Sequence, residues 1–431
     1  MPLNSLTFPY LTFPSFSSHA CDKKPIQLAP PIPAYYDRIR RVSRRHKFVE
    51  GKHMLIKRFL NLPDLLSKKS HFLLGPRQTG KTSLIRSTLP DCRNYNLLDF
   101  GTFLRLNQNP SCIREELKHY RGVVVIDEIQ KLPGLLDEVQ ILIEEQKLHF
   151  LLTGSSARKL RRSGVNLLGG RARTVRMHPL TSFELGDQFD LMRAVNFGTL
   201  PAIYFSDDPA LDLKAYAGEY LKEEIAAEGL TRNVPAFSRF LETAALCNGQ
   251  IINYQTVSSD AAVPRTTVQE YFSILKDTLI AEEVECWRKT KKRKAIAASK
   301  FYFFDVGVAN HLQHAGRIEQ KTKFFGEALE AFIFQELAAY RDYISRGTIH
   351  YWRSEDQYEV DFILDESIAI EVKGTSRLSK EDFKGMRALQ AEKAMRLHII
   401  VSNEPVSRDV DGIRVMPWQI FLKDLWSGAL K

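Results

Sequence analysis

Residues Gly75-Pro76-Arg77-Gln78-Thr79-Gly80-Lys81-Thr82 have the spacing GxxxxGK[ST], and Ser83 follows directly. The two glycines let the backbone turn so that successive N–H groups line up around phosphate oxygens. The lysine reaches the β and γ phosphates, and the threonine offers a hydroxyl to Mg²⁺. A helix beginning at this point adds the positive end of its dipole. The chemistry is that of a nucleoside triphosphate, ATP with Mg²⁺, held through its phosphates by residues 75–83.

A second acidic feature completes that chemistry. Val123-Val124-Val125-Ile126-Asp127-Glu128 sets two carboxylates after four apolar residues. Such a run reads as a buried parallel strand, which places Asp127 at its carboxyl end, where ligands of these sheets bind. Asp127 is then the Mg²⁺ partner through water, and Glu128 is the base that polarises the attacking water. Thr153-Gly154-Ser155-Ser156 ends the next apolar strand, and Ser155 could meet the γ phosphate or the water; a plain turn is the alternative. Arg171 and Arg173 follow Gly169-Gly170, so that one of them, Arg171 first, could act as an arginine finger, against the reading of surface arginines.

A different set of groups stands near the C-terminus. Tyr358-Glu359-Val360-Asp361-Phe362-Ile363-Leu364 and Ile368-Ala369-Ile370-Glu371-Val372-Lys373 read as two strands joined through Asp365-Glu366-Ser367. A three-residue loop sets Asp361 opposite Glu371 and Glu359 opposite Lys373 on one face. A two-residue loop puts the two acids on different faces, so the register decides the chemistry. In the first case Asp361 and Glu371 supply hard oxygens to Mg²⁺, and Lys373 orients a water or stabilises phosphate charge, a set suited to phosphodiester hydrolysis. The alternative is a surface hairpin with a cross-strand Glu359–Lys373 ion pair.

Nucleic acid is also a candidate partner. Arg288-Lys289-Thr290-Lys291-Lys292-Arg293-Lys294 carries six basic residues in seven. Before it, residues 237–285 have the rhythm of a winged helix-turn-helix: a helix ending at Asn248-Gly249, a second capped by Asn253, a turn at Val263-Pro264 and a third from Thr266 to Lys276. The third helix offers Arg265, Thr266, Thr267 and Gln269 to base edges, and the basic run 288–294 falls where a wing would touch phosphates. A protein-docking module and a solvated charge run are the competing readings.

The elements that must position these groups follow the same pattern. Apolar strands at 72–74, 95–98, 123–126 and 149–152 alternate with helical stretches from Met54 onward, which predicts a parallel α/β sheet. After about residue 205 the strands stop, and from 318 a mixed α/β pattern returns. The predicted organisation is a Pro-rich basic extension over 1–53, a P-loop domain over 54–205, a helical linker over 206–236, a winged helix over 237–317 and a mixed α/β domain over 318–431. The extension reads either as a disordered basic arm or as residues upstream of a natural start at Met54.

Composition narrows the class. At 431 residues, 44% hydrophobic and 26% charged, the chain is globular and large enough for several cores. The net charge of +10 admits nucleic acid without requiring it. Five cysteines without CxxC spacing exclude a disulfide framework or zinc knuckle and fit a reducing cytoplasm. No apolar run spans a bilayer, and no signal peptide is expected.

GPRQTGKTSLI, VVVIDEIQKLP, FLLTGSSARKL and GGRARTVRMHPLTSFEL together resemble the AAA-type ATPases of a prokaryotic family that carries a C-terminal winged-helix and nuclease-like region of unknown function. The resemblance runs from about residue 54 to the end, and Met54-Leu55-Ile56-Lys57-Arg58 is similar to the family's usual start. It implies ATP binding by the first motif and Mg²⁺ and water activation by the second, roles that fall on Lys81, Thr82, Asp127 and Glu128. The C-terminal strands look like the PD-(D/E)XK nuclease pattern, with Asp361 as first acid and Glu371-Val372-Lys373 as ExK. Val360 stands where that pattern has proline. Glu330, in Gly326-Glu327-Ala328-Leu329-Glu330, resembles the further metal-ligating carboxylate of such nucleases and implies a restriction-endonuclease-like last domain. AAA-type relatives often assemble, so a homo-oligomer or a protein partner is implied as well.

Overall fold

A computed structural model describes residues 56–155, 168–220, 233–290, 293–344 and 347–430. The extension over 1–53, Ser156, and Lys291 and Lys292 of the basic run lie outside them.

The first layer is a parallel sheet. Helix α1 (Leu62–Lys68) opens with Asn61 capping the Asp64 N–H and leads into β1 (Ser70–Leu74). Strand β1 runs into the phosphate loop, and α2 (Lys81–Thr88) starts at Gly80, whose φ of 95° only glycine adopts without strain. Strands β2 (Arg93–Asn96), β3 (Val123–Asp127), β4 (His149–Gly154) and β5 (Ala172–Arg176) complete it, with α3 (Leu135–Gln146) crossing between β3 and β4. The order is β2-β3-β4-β1-β5, all parallel. Alternation along the strands splits the apolar side chains between two cores. Phe72, Val124, Ile126 and Phe150 face one; Leu73, Val125 and Leu151 face the other, under α2. This two-sided burial is why the strands read as continuous apolar runs. β1 lies between β4 and β5, so the chain reverses direction across the sheet there, and the carboxyl ends of β1, β3 and β4 open on one crevice.

A short capped helix, α4 (Ser182–Leu185), follows β5, with Thr181 and Glu184 forming a reciprocal capping box. Between β5 and Ala281 no strand forms among the described residues. Helices α5 (Val234–Leu246), α6 (Tyr254–Ala261) and α7 (Arg265–Asp277) then pack on an antiparallel pair, β6 (Ala281–Glu285) and β7 (Ser299–Phe303). Asn253 caps α6, and Phe240, Phe272 and Phe301 join the helices to the hairpin in one core.

The long α8 (Lys323–Ile344) packs across a mixed six-stranded sheet. Its strands are β8 (Ile349–Arg353), β9 (Glu359–Leu364), β10 (Ile368–Lys373), β11 (Leu397–Ser402), β12 (Arg408–Val410) and β13 (Ile413–Pro417), ordered β12-β13-β11-β10-β9-β8. Helix α9 (Trp418–Ser427) closes the described chain. The whole is α/β: a P-loop-type parallel sheet, a helical region and a mixed sheet. Among the described residues no helix is long and apolar enough to cross a membrane.

Candidate active sites

The phosphate loop lies at the mouth of a cleft of about 1010 Å³ lined by Arg58, Arg77, Lys81, Thr82, Ser83 and Glu128 among others. Gly75 and Pro76 are buried, and Gln78, Thr82 and Ser83 are exposed. The backbone just past β5 passes so near Gly75 that a Cβ there would overlap the Met177 carbonyl oxygen. The same approach gives Met177 N–H its bond to Leu74 O at 2.7 Å. Lys81 folds back over the loop, donating to Gly75 O at 2.7 Å and Pro76 O at 3.0 Å. Thr79 donates to Pro76 O at 2.9 Å, which tightens the turn.

Asp127 and Glu128 leave the end of β3 in opposite ways. Asp127 accepts the Thr153 hydroxyl from β4. Glu128 adopts φ 62°, ψ 45°, an uncommon left-handed conformation for a side-chain-bearing residue. Its N–H donates to Thr153 Oγ1 at 3.2 Å, so one threonine ties both acids to β4. Gln130 Nε2 donates to the Glu128 carboxylate and to Ser155 Oγ at 3.2 Å. Gln78 in the loop is also left-handed, at φ 62°. Two such residues in one crevice are the kind of backbone strain that collects at functional sites. The donor set fits Mg-ATP: hard oxygens on Thr82 and Asp127, an ammonium at Lys81, and a Cβ-free passage at Gly75.

Arg171 is not brought to this cleft. Its guanidinium pairs with Glu144 on α3, and that ion pair stands where a finger role was expected. Arg58 lines the cleft instead and was missed. It is nearly buried, and it donates to Thr79 O at 2.6 Å, His178 O at 2.6 Å, Glu184 Oε1 at 3.0 Å and the Tyr343 hydroxyl at 3.2 Å. Nothing local in the sequence marks it, because its partners come from the loop, α4 and the end of α8.

At the C-terminus the hairpin takes the three-residue register. Leu364 pairs with Ile368, Ile363 with Ala369 and Phe362 with Ile370. Asp365 and Glu366 both turn left-handed, at φ 54° and 52°, to close it. Asp361 and Glu371 then brace each other's strands. Val372 N–H donates to Asp361 Oδ2 at 2.7 Å, and Asp361 N–H donates to Glu371 Oε2 at 3.3 Å. Lys373 pairs with Glu371 at 2.6 Å. The cross-strand Glu359–Lys373 pair of the surface-hairpin alternative does not form: Glu359 meets Lys300 at 2.6 Å and Arg353 at 3.0 Å. Glu330, on α8, accepts the Tyr302 hydroxyl at 2.7 Å and stands 3.6 Å from Lys300.

Burial dominates the protonation of this cluster. It pushes Glu371 up to about 8, with the Asp361 charge adding and Lys373 opposing. Glu330, whose side chain keeps 21% of its surface open, is pushed up to about 7 by burial and then by Asp361. Burial raises Asp361 too, against Lys300 and Lys373. Burial would lower the Lys300 ammonium, yet Glu330, Asp361 and Glu359 outweigh it and hold it above the lysine range. Among the described residues no group of three or more His, Cys, Asp or Glu side chains is arranged to hold a metal ion. The expected joint ligation by Glu330, Asp361 and Glu371 is therefore not assembled in this conformation.

The basic run is also engaged. Lys289 pairs with Glu366, Lys294 with Glu355 at 2.8 Å, and Arg293 with Glu392 at 3.5 Å. Lys289 and Lys294 keep most of their side-chain surface exposed in these pairs. On α7, Arg265, Thr266 and Gln269 are exposed and Thr267 is partly so.

With this geometry in place, residues 67–186 match the model of the AAA domain. The chain carries an AAA-type P-loop domain. Beyond the AAA domain, residues 188–319 match Domain of unknown function (DUF8612) and residues 325–421 match Domain of unknown function (DUF4143). Uncharacterized proteins of Mycobacterium tuberculosis and Mycobacterium bovis are each 25% identical over 346 residues, covering 77% of this chain and 76% of theirs. One from Haemophilus influenzae is 21% identical over 313 residues, covering 68% and 75%. A solved signal transduction ATPase with numerous domains, with a tetratricopeptide repeat sensor, from Pyrococcus horikoshii overlaps at 15% identity and TM-score 0.22. That overlap covers 69% of this chain and 49% of that one, about half its length, and a superposition so loose leaves the AAA fold resting on sheet order.

Proposed function

We propose that this chain binds Mg-ATP on residues 75–83 and hydrolyses it, with Glu128 as the base and Asp127 and Thr82 on the metal side. The observation that carries the reading is Thr153 gripping both Asp127 and the Glu128 backbone beside the phosphate loop. Lys81 neutralises the β and γ phosphates, and the hydroxyls of Ser83 and Ser155 are available to the nucleotide. Mg²⁺ when bound supplies charge neutralisation between those phosphates.

The C-terminal half is what the nucleotide state acts on. It is best read as a regulated docking module that does not cleave in this conformation, because Lys300 already pairs with Glu330 and Glu359. A second reading, a DNA-binding and nuclease-like half, is favoured by one observation: Asp361 and Glu371 bracing each other with Lys373 at hand. In that reading α7 presents Arg265 and Gln269 to DNA, and Asp361, Glu371 and Glu330 hold Mg²⁺.

ATP turnover by wild type, Lys81→Ala and Glu128→Gln tests the first claim; equal rates in all three would end it. Labelled DNA incubated with Mg²⁺ or Mn²⁺, with Lys373→Ala as control, separates the two downstream readings. Cleavage by wild type alone selects the nuclease.

A further inference from the structure

Lys300 belongs to β7, within the segment matched as DUF8612, yet its side chain ends among acids of the segment matched as DUF4143. The residue is 3% exposed. Its ammonium lies 2.6 Å from Glu359, 3.6 Å from Glu330 and 5.4 Å from the centre of the Tyr351 ring. Its backbone is held from both sides, by Val284 across the hairpin and by a bridge to Ile251 before α6. A cavity of about 410 Å³ opens beside it, with Asn248, Gly249 and Gln250 on one wall and Glu330 and Glu359 on the other.

A buried ammonium is costly unless compensated, and here the compensation comes wholly from the acid cluster and one ring face. Four carboxyls, Glu330, Glu359, Asp361 and Glu371, meet three cations, Lys300, Lys373 and Arg353. The carboxyls outnumber the cations by one. Without Lys300 the four carboxyls would face only Lys373 and Arg353. The ammonium draws carboxylate oxygens from two elements, Glu330 of α8 and Glu359 of β9.

We propose that Lys300 is the resident cation of the C-terminal carboxylate cluster, delivered by the β6–β7 hairpin, and that it excludes a divalent metal from Glu330, Glu359 and Asp361 while the hairpin is docked. Only the identity of the excluded ion, Mg²⁺ or its probe Mn²⁺, rests on the nuclease-like reading.

The test uses the full chain carrying Lys81→Ala, without nucleotide, titrated with Mn²⁺ and followed by the paramagnetic resonance of the free ion. Adding Lys300→Met is expected to create one saturable Mn²⁺ site per chain, lost again when Asp361→Asn is combined with it. No gain in Lys300→Met overturns the proposal, as does a parent that already binds Mn²⁺ at a site Asp361→Asn removes. If Lys300→Met does not fold, Lys300→Gln keeps a polar group among the acids and is read by the same criteria. DNA cleavage is scored in parallel. A gained metal site without cleavage supports the proposal and counts against the nuclease reading alone.

Discussion

The Arg58 guanidinium donates to the Thr79 carbonyl, inside the phosphate loop, at 2.6 Å. Through its other nitrogens the same group reaches Tyr343 near the end of α8, the helix that also carries Glu330. One residue thus touches the loop and the helix that leads to the second site. Arg58→Ala leaves the buried Glu184 without its cationic partner, and a loss of about 3–5 kcal/mol is expected in urea unfolding. Arg58→Lys restores the charge without the planar fork and should recover less than half of that loss. Tyr343→Phe should cost about 1 kcal/mol. An Arg58→Ala protein as stable as wild type would remove Arg58 from this role.

Glu128 is aimed by its own left-handed backbone and by Gln130. Glu128→Gln should leave ATP affinity near wild type and lower kcat by about 10²–10⁴, the range for a lost general base. Gln130→Ala keeps the carboxylate and removes only its orienting donor, so a smaller fall in kcat with unchanged KM is expected. Steady-state turnover and nucleotide binding, measured on both variants, decide the matter. A kcat for Glu128→Gln equal to wild type would exclude the base assignment.

Gly75 is required by space rather than by its φ. A methyl group there would press on the Met177 carbonyl, whose own N–H holds Leu74. Gly75→Ala should therefore cost about 1–3 kcal/mol through overpacking and weaken ATP binding by displacing the loop from β5. Gly134→Ala, with nothing near its Cβ, is the matched control and should bind ATP as wild type does. Equal ATP affinity in both variants would count against the β5 contact.

Glu336 provides a pH-dependent test. Burial pushes it up to about 7 against the donors that oppose this, Ser182 N–H at 2.7 Å, Trp426 Nε1 at 2.6 Å and Ser182 Oγ at 2.8 Å. A carboxyl whose folded value exceeds its unfolded 4.5 binds its proton more tightly when folded. Its contribution to stability is full below pH 4.5 and is lost as pH rises through about 7. Glu336→Gln cannot titrate. The stability of wild type relative to that variant should accordingly fall between pH 4.5 and 7, read from urea melts across the range. A pH-independent difference would refute the displacement.

The phosphate loop and Asp127-Glu128 were legible in the sequence because their chemistry is written in covalent spacing. A loop cradling phosphates needs its glycines and lysine at fixed separations, and a buried parallel strand announces itself as an apolar run that ends where the ligand lies. The helices before the hairpin were legible through Asn253 and Val263-Pro264, signals confined to a few neighbouring residues. The register of β9 and β10 was not, because its turn uses Asp365 and Glu366 in left-handed conformations without the glycine that usually marks them. Nor could the sequence assign partners to charges. Arg171 found Glu144, the basic run found Glu355, Glu366 and Glu392, and Lys300 found Glu330 and Glu359. A charged side chain takes its meaning from what desolvates and neutralises it, and those groups arrive from distant parts of the chain. The sequence determined where phosphates could be held; only the tertiary structure decided which cation stands in the second cluster.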